Sequence, residues 1–265
     1  MTSRIFPLLF PLLALAGAPG TARAQALPAD TLHKYANPTG VAAAKKPFFQ
    51  SKLFRASVVP AVLIGYGIST INGHGFYSSY DARRDVNHLF GPGRHTYVED
   101  YLQWAPYLEL GGVLLAGVES RDDRVNLGLV VLKSEAIMLA AVYAVKLTTN
   151  IERPDGTPTA FPSGHTAQAF LAASIVHTEL RNKSQWYGIG AYALATSVGV
   201  LRMVNDKHWE SDVVAGAGFG ILSAHLAYLS HRNRWGRHPI GRDVGVAPRW
   251  SPDGGTGLSV SWRPR

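Results

Sequence analysis

Two histidines in the second half of the chain stand in settings that suit phosphoryl transfer. His208 is followed four residues later by Asp212, and residues four apart share one face of a helix. A carboxylate at that distance can accept a hydrogen bond from one imidazole nitrogen, which leaves the other nitrogen as a nucleophile. His165 lies in the first turn of another apolar helical pattern, where a protonated imidazole can give its proton to a departing oxygen.

The turn that leads into His165, with the sequence PSGH, has the composition of an anion site. Ser163 is a good N-cap residue, and the backbone N–H groups from Gly164 onward point out of the helix start. A helix start with free N–H groups is a natural seat for a phosphate. Basic residues stand at the ends of the neighbouring apolar patterns, namely Lys146, Arg153 and Arg202.

Taken one at a time, these features are common. An Arg-Pro pair, a histidine four residues before an aspartate and a Ser-Gly helix cap each occur often for structural reasons alone. Their combination is more specific, because each feature lies at the end of a predicted helix. The connecting helices can bring all of these ends to one side of a bundle.

Apolar stretches separated by Gly-, Pro- or charge-bearing segments predict an all-α bundle of five or six helices. The stretches are Ala56–Ile71, Trp104–Val118, Leu127–Val145, Thr166–Leu180, Tyr187–Val204 and Val213–Leu229. The polar segment between the first two is expected to carry short helices, and its charged motif DARRD is expected to pair with itself in solvent. Alternating apolar and polar residues near the C terminus predict a small β-hairpin.

Three segments of the chain resemble the signature motifs of a known family. KLTTNIERP, PSGH and LRMVNDKHWESD are similar, in this order, to the three motifs of the type-2 phosphatidic acid phosphatase family, which also includes vanadium haloperoxidases and bacterial acid phosphatases. The motifs span Lys146 to Asp212, and the resemblance implies a catalytic helical core at about residues 104–230. Residues 25–100 and the C-terminal tail lie outside the resemblance.

The resemblance implies a role for each matched residue. It makes His208 the nucleophile that forms a phosphohistidine, Asp212 the residue that orients it, and His165 the general acid. The implied phosphate cradle consists of Lys146, Arg153, Ser163, Gly164 and Arg202. No metal or other cofactor is implied, and vanadate is expected to act as an inhibitor or, in a haloperoxidase, as the cofactor.

The activity implied by the resemblance is hydrolysis of a phosphomonoester or diphosphate. We expect a lipid substrate, such as an isoprenyl diphosphate, a phosphatidate-type lipid or lipid A. A soluble periplasmic acid phosphatase of broad specificity is the alternative, followed by a vanadium-dependent haloperoxidase and by an inactive phosphate- or lipid-binding module. The third motif departs from the family at Leu201, where Ser is usual, so one cradle hydrogen bond is expected to be missing or replaced.

The composition fits a basic, exported protein without disulfides. Residues 1–24 have the features of a signal peptide, since Arg4 precedes the apolar run IFPLLFPLLALAGA and a small-residue cleavage site follows; an uncleaved anchor is the alternative. Residues 25–55 are expected to form a loosely ordered lead-in, 56–235 the helical phosphatase domain and 236–265 a tail. The net charge of +8 suits anionic lipids or phosphorylated partners. No nucleic-acid partner is expected, and the oligomeric state is left open.

The apolar stretches also predict how the chain meets a membrane. Trp104–Val118 and Leu127–Val145 are expected to cross it, whereas Ala56–Ile71, which contains Pro60, is expected to be interfacial or packed. Basic residues at the helix ends opposite the motifs favour an inner-membrane protein whose site faces the periplasm. Charged residues inside the stretches, such as Glu109, keep a soluble periplasmic bundle as the alternative.

Overall fold

The computed structural model describes residues 48–75, 77–232, 244–250 and 256–262. The expected signal peptide at residues 1–24 lies outside the described residues, as do most of the expected lead-in and part of the tail. Eight α-helices form within these ranges. They are α1 (Lys52–Ser69), α2 (Ser79–Phe90), α3 (Val98–Leu102), α4 (Ala105–Leu115), α5 (Arg124–Thr149), α6 (Gly164–Leu180), α7 (Gln185–Val204) and α8 (Glu210–Ser230).

The six predicted apolar helices are confirmed as α1 and α4 to α8, and the protein is an all-α bundle. Helix α1 begins at Lys52, before the predicted start at Ala56, because the side chain of Ser51 accepts a hydrogen bond from the N–H of Phe54 at 3.1 Å and caps the helix. The polar segment that precedes α4 forms the short helices α2 and α3, as expected.

The predicted C-terminal hairpin is also present. Strand β1 (Val244–Trp250) pairs antiparallel with β2 (Thr256–Trp262), and Val246 lies opposite Val260. The alternation of apolar and polar residues in this part of the sequence therefore gave the correct local structure.

Helix α6 is the centre of the bundle. Its side chains are almost all buried from Thr166 to Leu180, and it packs against α4, α5, α7 and α8. Small residues allow α8 to come close, since a Cβ added to Gly216 would lie 2.6 Å from the carbonyl oxygen of Ser163. The turn that carries Ser163 is therefore fixed against α8.

Helices α1 and α8 run antiparallel along their whole length. Gly67, near the end of α1, approaches Ser211 at the start of α8, because a Cβ at Gly67 would lie 2.6 Å from the Ser211 carbonyl oxygen. Near the other end of the pair, the carbonyl of Ala56 contacts His225. The end of α1 therefore lies beside the start of α8.

Helices α5 and α6 are antiparallel as well. The N–H of Asp122, just before α5, donates to Oε2 of Glu179, near the end of α6, at 2.9 Å. The end of α5, the start of α6, the end of α7 and the start of α8 consequently share one face of the bundle, which we call the site face. This is the arrangement that the sequence predicts for the motif-bearing helix ends.

Helix α1 contains a proline that its neighbour accommodates. Pro60 has no N–H, so the carbonyl of Ala56 loses its normal helical donor. Nδ1 of His225, on α8, donates to that carbonyl at 2.7 Å. The substitute hydrogen bond lets α1 continue through Pro60, and it makes His225 a satisfied interior histidine.

Four helices of the described chain are long and apolar enough to cross a membrane, namely α1, α5, α7 and α8. The expectation that α1 is a packed helix is confirmed, because its glycine Gly67 lies against α8. Its length and hydropathy also make it a candidate span, which the sequence analysis did not predict. Helix α4, which we expected to cross the membrane, has 11 residues, fewer than the roughly 20 that a span needs.

Gly216→Ala is expected to destabilise the protein by about 1–3 kcal/mol, because the new methyl group would collide with backbone that cannot rotate away. Thermal unfolding in detergent measures the effect. Gly128→Ala in α5 is the matched control, since no described atom lies within 4 Å of a Cβ at that position. It should leave the unfolding temperature unchanged or raise it, because Ala favours helix over Gly. Equal unfolding temperatures for the two variants would contradict the close packing.

Candidate active site

His208 lies in the tight turn between α7 and α8, and its side chain is buried. The N–H groups of Lys207 and His208 both donate to the carbonyl of Arg202, at 3.0 and 3.2 Å. Nδ1 of His208 lies 3.2 Å from Oδ2 of Asp212, in the first turn of α8. The same oxygen accepts the N–H of Trp209 at 2.8 Å, so the start of α8 holds the carboxylate in place.

The surroundings of His208 keep its imidazole neutral. Burial holds the pKa of His208 well below its usual value, and the positive charges of Arg202, Lys146 and Arg153 lower it further. Because Asp212 accepts the Nδ1 proton, the lone pair is on Nε2. A neutral imidazole in this tautomer is the form that can act as a nucleophile.

Ser163 is the N-cap of α6, as the sequence predicts. Its Oγ accepts hydrogen bonds from the N–H and the hydroxyl of Thr166, at 3.4 and 3.0 Å. Its own N–H donates to the carbonyl oxygen of Asp212 at 2.9 Å, which joins the second motif directly to the third. Gly164 follows, and no described atom lies within 4 Å of a Cβ at this position, so its backbone is open to a ligand.

His165 occupies the first turn of α6 and is partly exposed. Its Nε2 lies 2.9 Å from Oδ1 of Asp100, a residue of α3. Burial lowers the pKa of His165, the Arg202 guanidinium lowers it further, and Asp100 raises it. His165 is also close enough to His208 for its charge to lower the pKa of that residue.

Two of the predicted cradle residues have protein partners on the site face. Nζ of Lys146, in the last turn of α5, donates to the carbonyls of Thr159 and Ala160 at 2.8 and 3.1 Å. Arg202, in the last turn of α7, is buried, and its Nη1 lies 3.4 Å from Oε1 of Glu99. Both cations are therefore fixed before any ligand arrives.

Arg153 lies in the loop between α5 and α6, where its backbone closes a turn with Gly156. Within the described chain, the Nε atoms of Arg153 and Arg202 are buried and have no hydrogen-bond partner. Buried guanidinium donors of this kind are the groups that phosphate oxygens satisfy. In the same residues, no group of three or more His, Asp or Glu side chains is arranged to hold a metal ion.

The structure thus brings all eight predicted site residues to the site face. It adds residues that the motif analysis missed. Asn205 forms two hydrogen bonds with the backbone of Thr96, each of 2.9 Å, and its amide also donates to Glu99. Thr96 Oγ1 donates to the other oxygen of Glu99 at 3.1 Å. These contacts tie the start of α3 to the end of α7.

Helix α2 packs on the third-motif turn through Arg83. We expected the motif DARRD to pair with itself, but Nε of Arg83 donates to Oδ1 of Asp206 at 2.8 Å. The Arg83 guanidinium also lies over the ring of Trp209, 5.6 Å from its centroid. Arg84 does follow the expectation, since it pairs with Asp81 at 2.8 Å.

Comparison with known proteins gives matches to the part of the chain that contains the predicted site residues. The family model described as PAP2 superfamily matches residues 128–236. Over 94 residues the chain is 45% identical to the lipid A 1-phosphatase of Porphyromonas gingivalis, a match that covers 35% of this chain and 21% of that protein. The chain therefore spans about a fifth of the length of this curated relative.

Two solved structures are also similar to this chain. The crystal structure of LpxE from Aquifex aeolicus gives a TM-score of 0.44 at 20% identity, over 60% of this chain and 99% of that one. The PAP2 type phosphatidylglycerolphosphate phosphatase from Bacillus subtilis gives 0.44 at 17% identity, over 64% and 94%. The segment that matches the PAP2 superfamily model, residues 128–236, contains all eight predicted site residues.

Proposed function

We propose that this chain is a lipid phosphatase that forms a phosphohistidine at His208 and needs no metal ion. The observation that carries the proposal is a buried, neutral imidazole held by Asp212 beside three cations, two of which are fixed by protein contacts. Fixed positive charge and unsatisfied guanidinium donors stabilise a phosphoryl group and the charge that develops on its oxygens. The match of residues 128–236 to the PAP2 superfamily model supports phosphatase chemistry at these residues.

The first step transfers the phosphoryl group to the enzyme. The Nε2 lone pair of His208 attacks phosphorus and forms a P–N bond, while the bond from phosphorus to the leaving oxygen breaks. His165 donates its proton to that oxygen, so the product departs as a neutral hydroxyl. Asp212 keeps its hydrogen bond to Nδ1 and stabilises the positive charge that His208 acquires.

The second step regenerates the enzyme. Neutral His165 accepts a proton from a water molecule that attacks phosphorus. The P–N bond breaks, inorganic phosphate leaves, and His208 returns to its neutral form. The cations Lys146, Arg153 and Arg202 bind the three non-bridging oxygens throughout, which is the role that a metal ion would otherwise fill.

The position of the site supports a lipid substrate. Lys146, Arg202 and Asp212 lie at the ends of α5, α7 and α8, which are three of the four helices long enough to cross a membrane. A lipid phosphate lies at the corresponding depth, at the membrane surface. Leu132 and Leu147 on α5 are 68% and 78% exposed, as lipid-facing side chains would be.

Phosphate release by the protein in detergent tests this function. The substrates are lipid A, a phosphatidate, an isoprenyl diphosphate and soluble p-nitrophenyl phosphate, each with and without EDTA. We expect at least one lipid to have the highest kcat/KM, with no effect of EDTA and with inhibition by orthovanadate. Preference for the soluble ester would indicate a broad-specificity acid phosphatase, and no release from any substrate would leave a binding module. Loss of activity in EDTA would contradict the metal-free mechanism.

We further propose that the site face is periplasmic. The opposite face carries basic residues at the start of α1 and in the connections that precede α5 and α7, namely Lys52, Arg55, Arg121, Arg181 and Lys183. Cytoplasmic ends of spans are enriched in such residues.

Single-cysteine labelling tests the orientation on a clean background, because the chain has no cysteine. Thr157→Cys lies in the exposed loop of the site face, and Asn182→Cys lies in the exposed turn of the opposite face. In cells with a permeable outer membrane, an impermeant maleimide should label Cys at the first position only. Labelling of the second position alone would place the site in the cytoplasm, and labelling of both would favour a soluble periplasmic bundle.

A further inference from the structure

Each of the two imidazoles on the site face has its own carboxylate. His208 is held by Asp212 at 3.2 Å, within the third motif. His165 is held by Asp100 at 2.9 Å, and Asp100 lies 65 residues earlier in the chain, outside all three motifs. The first pair is fully buried, whereas side chains of the second are 30% and 45% exposed, which suits a group that exchanges protons with water.

The carboxylate of Asp100 reaches His165 because the residues just before it anchor the start of α3 to the end of α7. Asn205 holds the backbone of Thr96, and Glu99 is buried against Arg202 and Asn205. Glu99 is therefore used to fix α3 to α7. Asp100, the next residue, has its Oδ1 on His165, with Arg202 Nη1 at 3.7 Å.

We propose that Asp100 is a positioning residue for the general acid: it holds the Nε2–H of His165 so that Nδ1 is the nitrogen that exchanges the proton with the leaving oxygen. This inference rests on the proposed function. Protonated His165 keeps its Nε2–H on Asp100 and gives the Nδ1 proton to the leaving oxygen. In the second step Nδ1 takes a proton from the attacking water, and Asp100 keeps its hydrogen bond to Nε2–H throughout.

The charges around His165 determine what removal of Asp100 does. The pKa of His165 is influenced by Asp100 and Glu99 from α3 and by Arg202 from α7, and the charge of His165 in turn lowers the pKa of His208 in the turn before α8. Only the two carboxylates favour the protonated imidazole, and Glu99 is already paired with Arg202. Without Asp100, burial and the Arg202 cation dominate, and His165 loses its proton at a lower pH.

The test compares kcat/KM over pH for the wild type, Asp100→Asn and the control Asp85→Asn. The high-pH limb reports loss of the proton from His165, because the free enzyme needs that proton. In Asp100→Asn we expect the high-pH decline in kcat/KM to occur at a pH about one unit lower than in the wild type. At pH values above this decline, kcat/KM of the variant should be about tenfold lower than that of the wild type. Asp85 accepts its hydrogen bond from Tyr77 and not from a site residue, so its variant should keep the wild-type profile.

Two outcomes would overturn the proposal. An equal loss of kcat/KM at every pH would mean that Asp100 only supports the fold. If the high-pH decline of Asp100→Asn matched the wild type while inorganic phosphate inhibited the variant more tightly, Asp100 would merely compete with phosphate for the cationic side chains.

NMR titration of labelled histidines in the full chain separates this inference from the proposed function. The His165 signal is assigned by its loss in His165→Gln. In Asp100→Asn it should titrate at lower pH than in the wild type, whether or not the protein releases phosphate. An unchanged titration would overturn the pairing even in an active phosphatase, whereas a shifted one in an inactive protein would contradict only the proposed function.

Discussion

His208→Ala is expected to abolish phosphate release, with kcat lower by about 10⁴-fold or more. The variant removes the nitrogen that Asp212 prepares for attack, and the methyl group cannot form a bond to phosphorus. The cradle remains, so the substrate should still bind. The change in rate is therefore expected in kcat and much less in KM.

A quenched-flow experiment with substrate labelled in the phosphoryl group measures the step directly. The wild type should form a labelled enzyme that is stable in alkali and labile in acid, as expected for a phosphohistidine. His208→Ala should form none. Label on His165, or a variant that keeps a tenth of the wild-type rate, would contradict the assignment of the nucleophile.

His88→Ala is the matched control for this prediction. His88 is exposed in the last turn of α2 and belongs to none of the three motifs. Its replacement should leave both phosphate release and the labelled intermediate unchanged. Similar thermal unfolding of the two alanine variants would show that the effect at His208 is chemical.

The helix ends that carry the motifs could be predicted because their signals are local. Ser163 caps α6 through hydrogen bonds to a residue three positions later, and His208 meets Asp212 four positions later. Capping and helical spacing depend on neighbouring residues, so a single sequence contains them. The pairing of Arg84 within DARRD was predictable for the same reason.

The contacts of α3 could not be predicted, because they join residues far apart in the chain. Asn205 and Thr96 are 109 positions apart, and His165 and Asp100 are 65 apart. The polar segment that contains Asp100 has no apolar period to show which of its charges point inward. Only the tertiary packing of α3 on α7 selects Asp100 and Glu99 from the other acids of the segment.

That α1 is a candidate span could not be predicted for a similar reason. Pro60 weakens a helix when it is considered alone, because it removes a backbone donor. His225 supplies the missing donor from 165 positions away from Pro60, as its hydrogen bond to the carbonyl of Ala56 shows. The sequence correctly indicates that Pro60 removes a helical hydrogen bond, but it does not show that the distant side chain of His225 replaces that bond.

Replacement of Arg202 is expected to have the second-largest effect, because this side chain serves the fold and the chemistry at once. It is buried, its Nη1 pairs with Glu99 at 3.4 Å, and its Nε has no partner among the described residues. Arg202→Ala would leave Glu99 as an unpaired buried charge, which costs about 3–5 kcal/mol of stability. Activity and folding should both be lost.

Arg202→Lys separates the two roles. The ammonium keeps a positive charge near Glu99, so thermal unfolding should lie much closer to the wild type than that of Arg202→Ala. A single point charge cannot reproduce the fork that contacts Glu99 and a phosphoryl oxygen together, and removal of one such donor costs about 10²–10³ in rate. Steady-state kinetics and unfolding of both variants check this. A lysine variant with wild-type kcat/KM would show that Arg202 contributes only charge, whereas equal destabilisation of both variants would show that Glu99 requires the guanidinium itself.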